Sequence, residues 1–145
     1  MGRIALAMTP ANPDVVYAQI EVAADKEDQL NEVESEEWQR LAREDATPPD
    51  PEWNGIWRST NKGRSWEFRS NENGRPMYFS QIRVSPQDPD LVYVVDQRVH
   101  KSRDGATTFE TLEGYGHVDQ HAIWIDPTDH DHIMIGNDGS VDITW

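Results

Sequence analysis

The sequence predicts an all-β chain: a fragment of a β-propeller, about three antiparallel blades, with a helical insertion in the first. Two recurring phrases and their spacing predict it. One runs Ser59-Thr60-Asn61-Lys62-Gly63-Arg64-Ser65-Trp66 and returns as Ser102-Arg103-Asp104-Gly105-Ala106-Thr107-Thr108-Phe109, with starts 43 residues apart. The other runs Pro10-Ala11-Asn12-Pro13-Asp14-Val15-Val16-Tyr17, then Pro86-Gln87-Asp88-Pro89-Asp90-Leu91-Val92-Tyr93, then Pro127-Thr128-Asp129-His130-Asp131-His132-Ile133-Met134. Its last two copies start 41 residues apart and its first two 76 apart, which is one similar period plus an insertion. A unit of about 40–45 residues made of short strands and tight turns is what one four-stranded blade requires.

Each strand is a short β-rich run bounded by Pro, Gly, Asn or Asp. In the first blade, about residues 1–70, the runs are 4–8, 15–21, 56–59 and 66–70. Residues 22–53 interrupt it. Between Asp25 and Asp45, Leu30, Val33, Trp38, Leu41 and Ala42 recur at helical spacing, Asp25 can cap, Asp28 sits in the first turn, and Arg40 and Arg43 lie near the end. Thr47-Pro48-Pro49-Asp50-Pro51 stops the helix. An amphipathic stripe of this kind is expected to bury its apolar face on its own scaffold. The second blade, about 78–113, carries runs at 80–84, 91–96, 99–102 and 109–113. The third, about 121–145, carries 122–125, 133–136 and 141–144. Residues 141–144 align with 99–102, so the third blade is incomplete, and the remaining blades of a parent ring are the expected partners.

Charge and composition exclude several function classes. The net charge of −14 excludes a nucleic-acid or anionic-membrane surface, which needs clustered Lys and Arg. Residues 21–52 hold twelve acids against three bases, so most of that charge belongs to the insertion. There is no cysteine, which removes disulfides and thiolate metal sites. No apolar run approaches the roughly 18 residues of a membrane span, and Gly2-Arg3-Ile4 opens directly into strand pattern without a signal peptide.

Blade topology sorts the loops onto two ends. First-to-second and third-to-fourth turns share one end, which takes the Pro-x-x-Pro-Asp-type turns and both Ser-x-Asn/Asp boxes. The other end takes the insertion, Asp96-Gln97-Arg98, Asn137-Asp138-Gly139 and the connections 70–79 and 114–120. Long, chemically varied loops collect there, so function is expected there.

In each box, Ser59 or Ser102 and Asn61 or Asp104 can bond the backbone of a tight turn, and Gly63 permits positive φ in the first copy. The terminal Trp66 or Phe109 is expected at equivalent buried positions between blades. Trp57 and Trp124 are assigned to blade packing as well. With its spacing, the pattern Ser59, Asn61, Gly63, Trp66 and Ser102, Asp104, Phe109 resembles the Asp-box, or bacterial neuraminidase repeat, of sialidases, xyloglucan-active glycoside hydrolases and sortilin-type propellers. Asn61 departs from the usual Asp and Ala106 from the usual Gly. Tyr78-Phe79-Ser80-Gln81-Ile82-Arg83-Val84-Ser85-Pro86, the stretch from His117 to Pro127, and Gly136-Asn137-Asp138-Gly139 are similar to bacterial sortilin-like or glycosyl-hydrolase-like propellers. The resemblance implies a large, exported, extracellular or periplasmic protein, with any signal upstream of this chain.

The site candidates sit on the loop-rich end. His117, Asp119 and His121 alternate along an extended segment and converge if it stays extended, with Asp138 on a neighbouring loop. No cofactor is expected beyond the option of a divalent metal, which such a set can hold through His117, Asp119 and His121, or Asp119 and Asp138 can do acid–base work. The alternative is that Asp119 fixes the histidines and all of them pin the crossing into the next strand. Glycoside hydrolysis needs two carboxyls about 5–10 Å apart, with aromatic stacking platforms for a sugar. Asp119, Asp138 and Asp96 supply carboxyls, and Tyr78, Phe79 and Tyr115 supply rings, with one of Tyr78 and Phe79 expected in the core; Tyr78, Tyr115 and His117 are the substrate-binding candidates. Two functions of different class follow: a carbohydrate-acting or carbohydrate-binding propeller, and a sortilin-type protein- or peptide-binding propeller. A purely structural segment is the third.

Overall fold

The computed structural model describes residues 4–21, 55–73 and 80–144. The helical stripe of the insertion, Tyr78 and Phe79 lie outside the described residues. Among the described residues, eleven strands form three antiparallel sheets and there is no helix. The first sheet is β1 (Ile4–Met8), β2 (Val16–Ile20), β3 (Gly55–Ser59) and β4 (Glu67–Ser70). The middle sheet is β5 (Gln81–Val84), β6 (Val92–Val95), β7 (Val99–Ser102) and β8 (Glu110–Leu112). The third is β9 (Gln120–Ile125), β10 (Ile133–Asn137) and β11 (Val141–Ile143). In each sheet, strand order follows chain order, as successive hairpins dictate. The predicted runs and the strands differ by a residue or two at most ends, the usual fraying of strand bounds; the one shift that matters is at β9, which begins at Gln120.

The sheets stack face to face through two apolar layers. Between the first and middle sheets lie Ala7, Tyr17 and Ile56 against Ile82, Val84, Val92 and Val94. Between the middle and third lie Tyr93, Val95 and Val99 against Ile123, Ile125, Ile133 and Ile135. Strand alternation makes this possible: Val92 and Val94 face one neighbour, Tyr93 and Val95 the other, so the strand is buried along its length. Polar contacts fix the stacking. Tyr17 donates to Pro89 O at 2.8 Å, Thr9 to Ser85 O at 2.5 Å, and Arg69 Nε to Gly105 O at 2.9 Å.

The repeated phrases have repeated geometry. In the three Pro-led turns, the N–H of Asp14, Asp90 and Asp131 donates to the side chain of Asn12, Asp88 and Asp129 at 3.1, 2.9 and 3.1 Å. In the boxes, Ser59 Oγ accepts from Gly63 N at 2.8 Å and Ser102 Oγ from Ala106 N at 2.9 Å. Asn61 Oδ1 accepts from Ser65 N, and Asp104 Oδ1 from Thr108 N, both at 2.9 Å. Asn61 thus reproduces the Asp104 turn without a charge. The fourth and fifth places are left-handed in both copies: Lys62 and Gly63 at φ 61 and 80, Gly105 and Ala106 at φ 69 and 68. Ala106 keeps the same turn, its methyl fully buried in the first apolar layer.

The expectation that both box aromatics are buried is corrected. Phe109 packs against the layer between the first and middle sheets, whereas Trp66 is 40% exposed and lies over its own turn, donating to Gly63 O at 3.1 Å. The register explains this: Phe109 faces the preceding sheet, and among the described residues no sheet precedes the first. Trp124, assigned to packing, is likewise 46% exposed on the outer face of the third sheet, edge-on to His132 at 5.9 Å. Trp57 has its partner, with its ring centroid 5.2 Å from that of Phe68.

Asp104 makes the second box acid-sensitive. Burial opposes its ionisation, but the N–H and hydroxyl of Thr108, the Ser102 hydroxyl and the Thr107 N–H outweigh it and hold the pKa down to about 2, against an ordinary 3.8. A depressed folded pKa stabilises above the unfolded value, and this contribution is lost as pH falls through about 4 towards 2. The difference in thermal midpoint between wild type and Asp104→Asn should therefore narrow across that window. A difference independent of pH would show that the carboxylate charge contributes nothing.

Candidate functional site

The loop-rich end is built by the turns β6–β7 and β10–β11 and by the crossing from β8 into β9. Gln120, fully buried at the start of β9, organises it, and sequence reasoning missed it because nothing local distinguishes a hub glutamine from a strand end. Its N–H donates to Asp96 O at 2.6 Å, its Nε2 donates to His117 O at 2.5 Å, and its Oε1 accepts from Asn137 Nδ2 at 3.4 Å. Asn137 Nδ2 also reaches Asp142 Oδ2 at 2.7 Å, and Asn137 Oδ1 accepts from Gly139 N and Ser140 N at 3.1 and 2.7 Å. The tight turn expected at Asn137-Asp138-Gly139 is thus closed by the Asn137 side chain.

Among the predicted residues, the structure joins two. His121 Nε2 lies 2.8 Å from Asp138 Oδ1, both side chains roughly half exposed. His117 turns away: its Nδ1 meets Val118 O at 2.8 Å and its ring covers Gly139, where an added Cβ would come within 2.8 Å of Cδ2. The alternation expected for 117, 119 and 121 does not hold, because Asp119 is left-handed at φ 62, its N–H donating to Gln97 O at 3.2 Å. A left-handed residue reverses the pleat that alternate side chains need to converge. His121 itself belongs to β9 rather than to the crossing. His117, Asp119 and His121 accordingly do not form a metal-ligating group. Tyr115 packs against the second apolar layer, and burial, with the Asp142 charge, raises its phenol pKa.

A second cluster lies at the same end, between the first and middle sheets. Among the described residues, Glu72, Asp96 and His100 are the three whose ligating atoms fall within 4.8 Å of one another. His100 Nε2 is 3.3 Å from Asp96 Oδ1, and His100 Nδ1 is 3.6 Å from Glu72 Oε1 and 3.3 Å from Thr111 Oγ1. Asp96 is buried and held by the Arg98 N–H at 2.9 Å. Burial disfavours the imidazolium of His100, but the Asp96 hydrogen bond and the charges of Glu72 and Asp96 outweigh it and raise the pKa, with Arg98 opposing. Burial likewise raises Glu72, with the His100 charge opposing and Asp96 adding. Sequence reasoning offered Asp96 only as a carboxyl and missed His100, four residues on across a tight hairpin, a spacing that could have found it; Glu72 comes from another sheet, and no local pattern announces it.

No protein-family model and no curated protein sequence matches the chain. Solved structures do match. The chain is similar to an ancestral GH74 enzyme with a TM-score of 0.59 and 18% identity, over 94% of this chain and 14% of that one. It is similar to the GH74 enzyme of Niastella koreensis with a TM-score of 0.60 and 16% identity, over 97% of this chain and 20% of that one. The chain therefore spans a fifth or less of these enzymes. The likeness, to β-propeller glycoside hydrolases, establishes the fold as part of a propeller.

Proposed function

We propose that the chain is a segment of a glycoside-hydrolase-like β-propeller that binds or acts on carbohydrate at the end opposite the two boxes. The observation that carries this is the half-exposed His121–Asp138 pair at 2.8 Å on that end, in a fold shared with GH74 enzymes. A carboxylate braced by an imidazole keeps an accepting oxygen in a fixed place, which suits a sugar hydroxyl or a proton in transit. Asp119, on the adjoining crossing, is the proposed second carboxyl, and Tyr115 and His117 are the proposed flanking contacts. Export of the parent protein, an Asp-box identity for the turns and further blades on both outer faces belong to the same proposal. Among the described residues, no helix is long and apolar enough to cross a membrane.

Affinity electrophoresis of the chain in gels containing soluble glucans, mannans and xylans tests the reading. At least one polysaccharide should retard it, and Asp138→Asn and His121→Ala should each weaken the retardation by about tenfold, the size of one charge-assisted hydrogen bond. Migration unaffected by every polysaccharide would overturn the proposal, and retardation that both variants retain would move the site away from this pair.

A further inference from the structure

We propose that Glu72, Asp96 and His100 form a site for a divalent transition-metal ion of the zinc class, seated between the first and middle sheets. The donors are one imidazole nitrogen and two carboxylates, the nitrogen and oxygen set that borderline cations take. Three protein donors leave a fourth, tetrahedral position for water or another ligand, the pattern of an open site. Neighbouring donors around zinc, with bonds of about 2.0–2.2 Å, lie about 3.3 Å apart. The His100 Nε2–Asp96 approach of 3.3 Å already has that spacing, and one donor atom from each of the three residues lies within 4.8 Å of the other two. His100 presents Nε2 to Asp96 and Nδ1 to Glu72, and one ring nitrogen serves one ion. Loading at Nε2 therefore keeps Asp96 as the neighbouring ligand and draws the Glu72 carboxylate from Nδ1 to the ion, leaving Nδ1 with the Thr111 hydroxyl as the hydrogen bond that fixes the ring.

The surroundings favour a cation. Asp96 is buried and His100 and Glu72 are largely so, which places two carboxylates together in a low-dielectric setting where a dication compensates both. Facing the cluster are the Arg98 N–H on Asp96, the Arg98 charge and the Thr111 hydroxyl. The donors come from two sheets: Glu72 follows β4, Asp96 follows β6 and His100 lies in β7. An ion here bridges the first apolar layer at its open end and ties the two sheets together.

Zinc titration by calorimetry, with Co2+ absorption as a spectroscopic readout of coordination, tests this on the full 145-residue chain. One ion per chain should bind, and His100→Ala and Glu72→Gln should each weaken it by at least about tenfold while His121→Ala leaves it unchanged. Glu72→Gln is isosteric and removes only the charge, so it keeps the test open if His100→Ala does not fold. Zinc should also raise the thermal midpoint of wild type and not that of Glu72→Gln. Absence of wild-type binding, binding that Glu72→Gln retains in full, or binding removed by His121→Ala would each overturn the assignment.

Discussion

Gly105→Val is expected to destabilise the chain by about 3 kcal/mol, the sum of a left-handed β-branched residue and an overpacked contact. Gly105 sits at φ 69 in the second box, its N–H donating to Asp90 O at 3.0 Å. A Cβ there would lie 3.1 Å from Arg58 Nη1 and 3.2 Å from both Asp90 Oδ1 and the Tyr17 hydroxyl. These three groups form the polar seam between the first and middle sheets: Arg58 pairs with Asp90 and lies over the Tyr17 ring, 5.7 Å from its centroid. The added methyls would push this seam apart as well as strain the turn. Gly114, at φ 97 with nothing within 4 Å of an added Cβ, separates the two effects. Gly114→Val should cost only the backbone part, about 1–2 kcal/mol. Urea unfolding of both variants measures this, and equal losses would refute the steric half of the argument.

The second large effect concerns the two outer faces. Met8 pairs with Val16 as Val84 pairs with Val92, so Leu6 and Met8 correspond to Ile82 and Val84, which the middle sheet buries against the first. Leu6 and Met8 are 63% and 69% exposed. On the far side, Met134 and Val141 correspond to Tyr93 and Val99, which the middle sheet buries against the third, and Val141 is 66% exposed. The outer faces are thus the two halves of one repeated interface, and large apolar patches of this kind promote association. The isolated chain is expected to associate head to tail. Leu6→Glu or Trp124→Glu should weaken that association at least about a hundredfold, since each buries a charge in the contact. An equimolar mixture of the two variants keeps one intact face of each kind, so it should form a heterodimer. Sedimentation velocity distinguishes these species. A monomeric wild-type chain, or a mixture that stays monomeric, would show that the outer faces do not complement each other.

Much of the fold was legible because it is periodic. Turn chemistry and β-branched runs are local, so the eleven strands, their hairpin order and the shared geometry of Ser59 with Ser102 and Asn61 with Asp104 could be read one segment at a time. The site was legible only as an address. Placing His121 and Asp138 at one end follows from antiparallel topology, and the pair is found there. Convergence of His117, Asp119 and His121 rested on an extended backbone, and Asp119 at φ 62 ends it.

The sequence by itself determined the repeat, the strand order and the end on which the varied loops collect, because each depends on residues close in the chain. Only the tertiary structure decided which side chains meet. Glu72 reaches His100 across two sheets, Gln120 gathers Asp96, His117 and Asn137, and Trp66 stays exposed where Phe109 is covered. Those outcomes depend on what packs against each face, and a neighbour supplied by a distant segment leaves no trace in the local pattern.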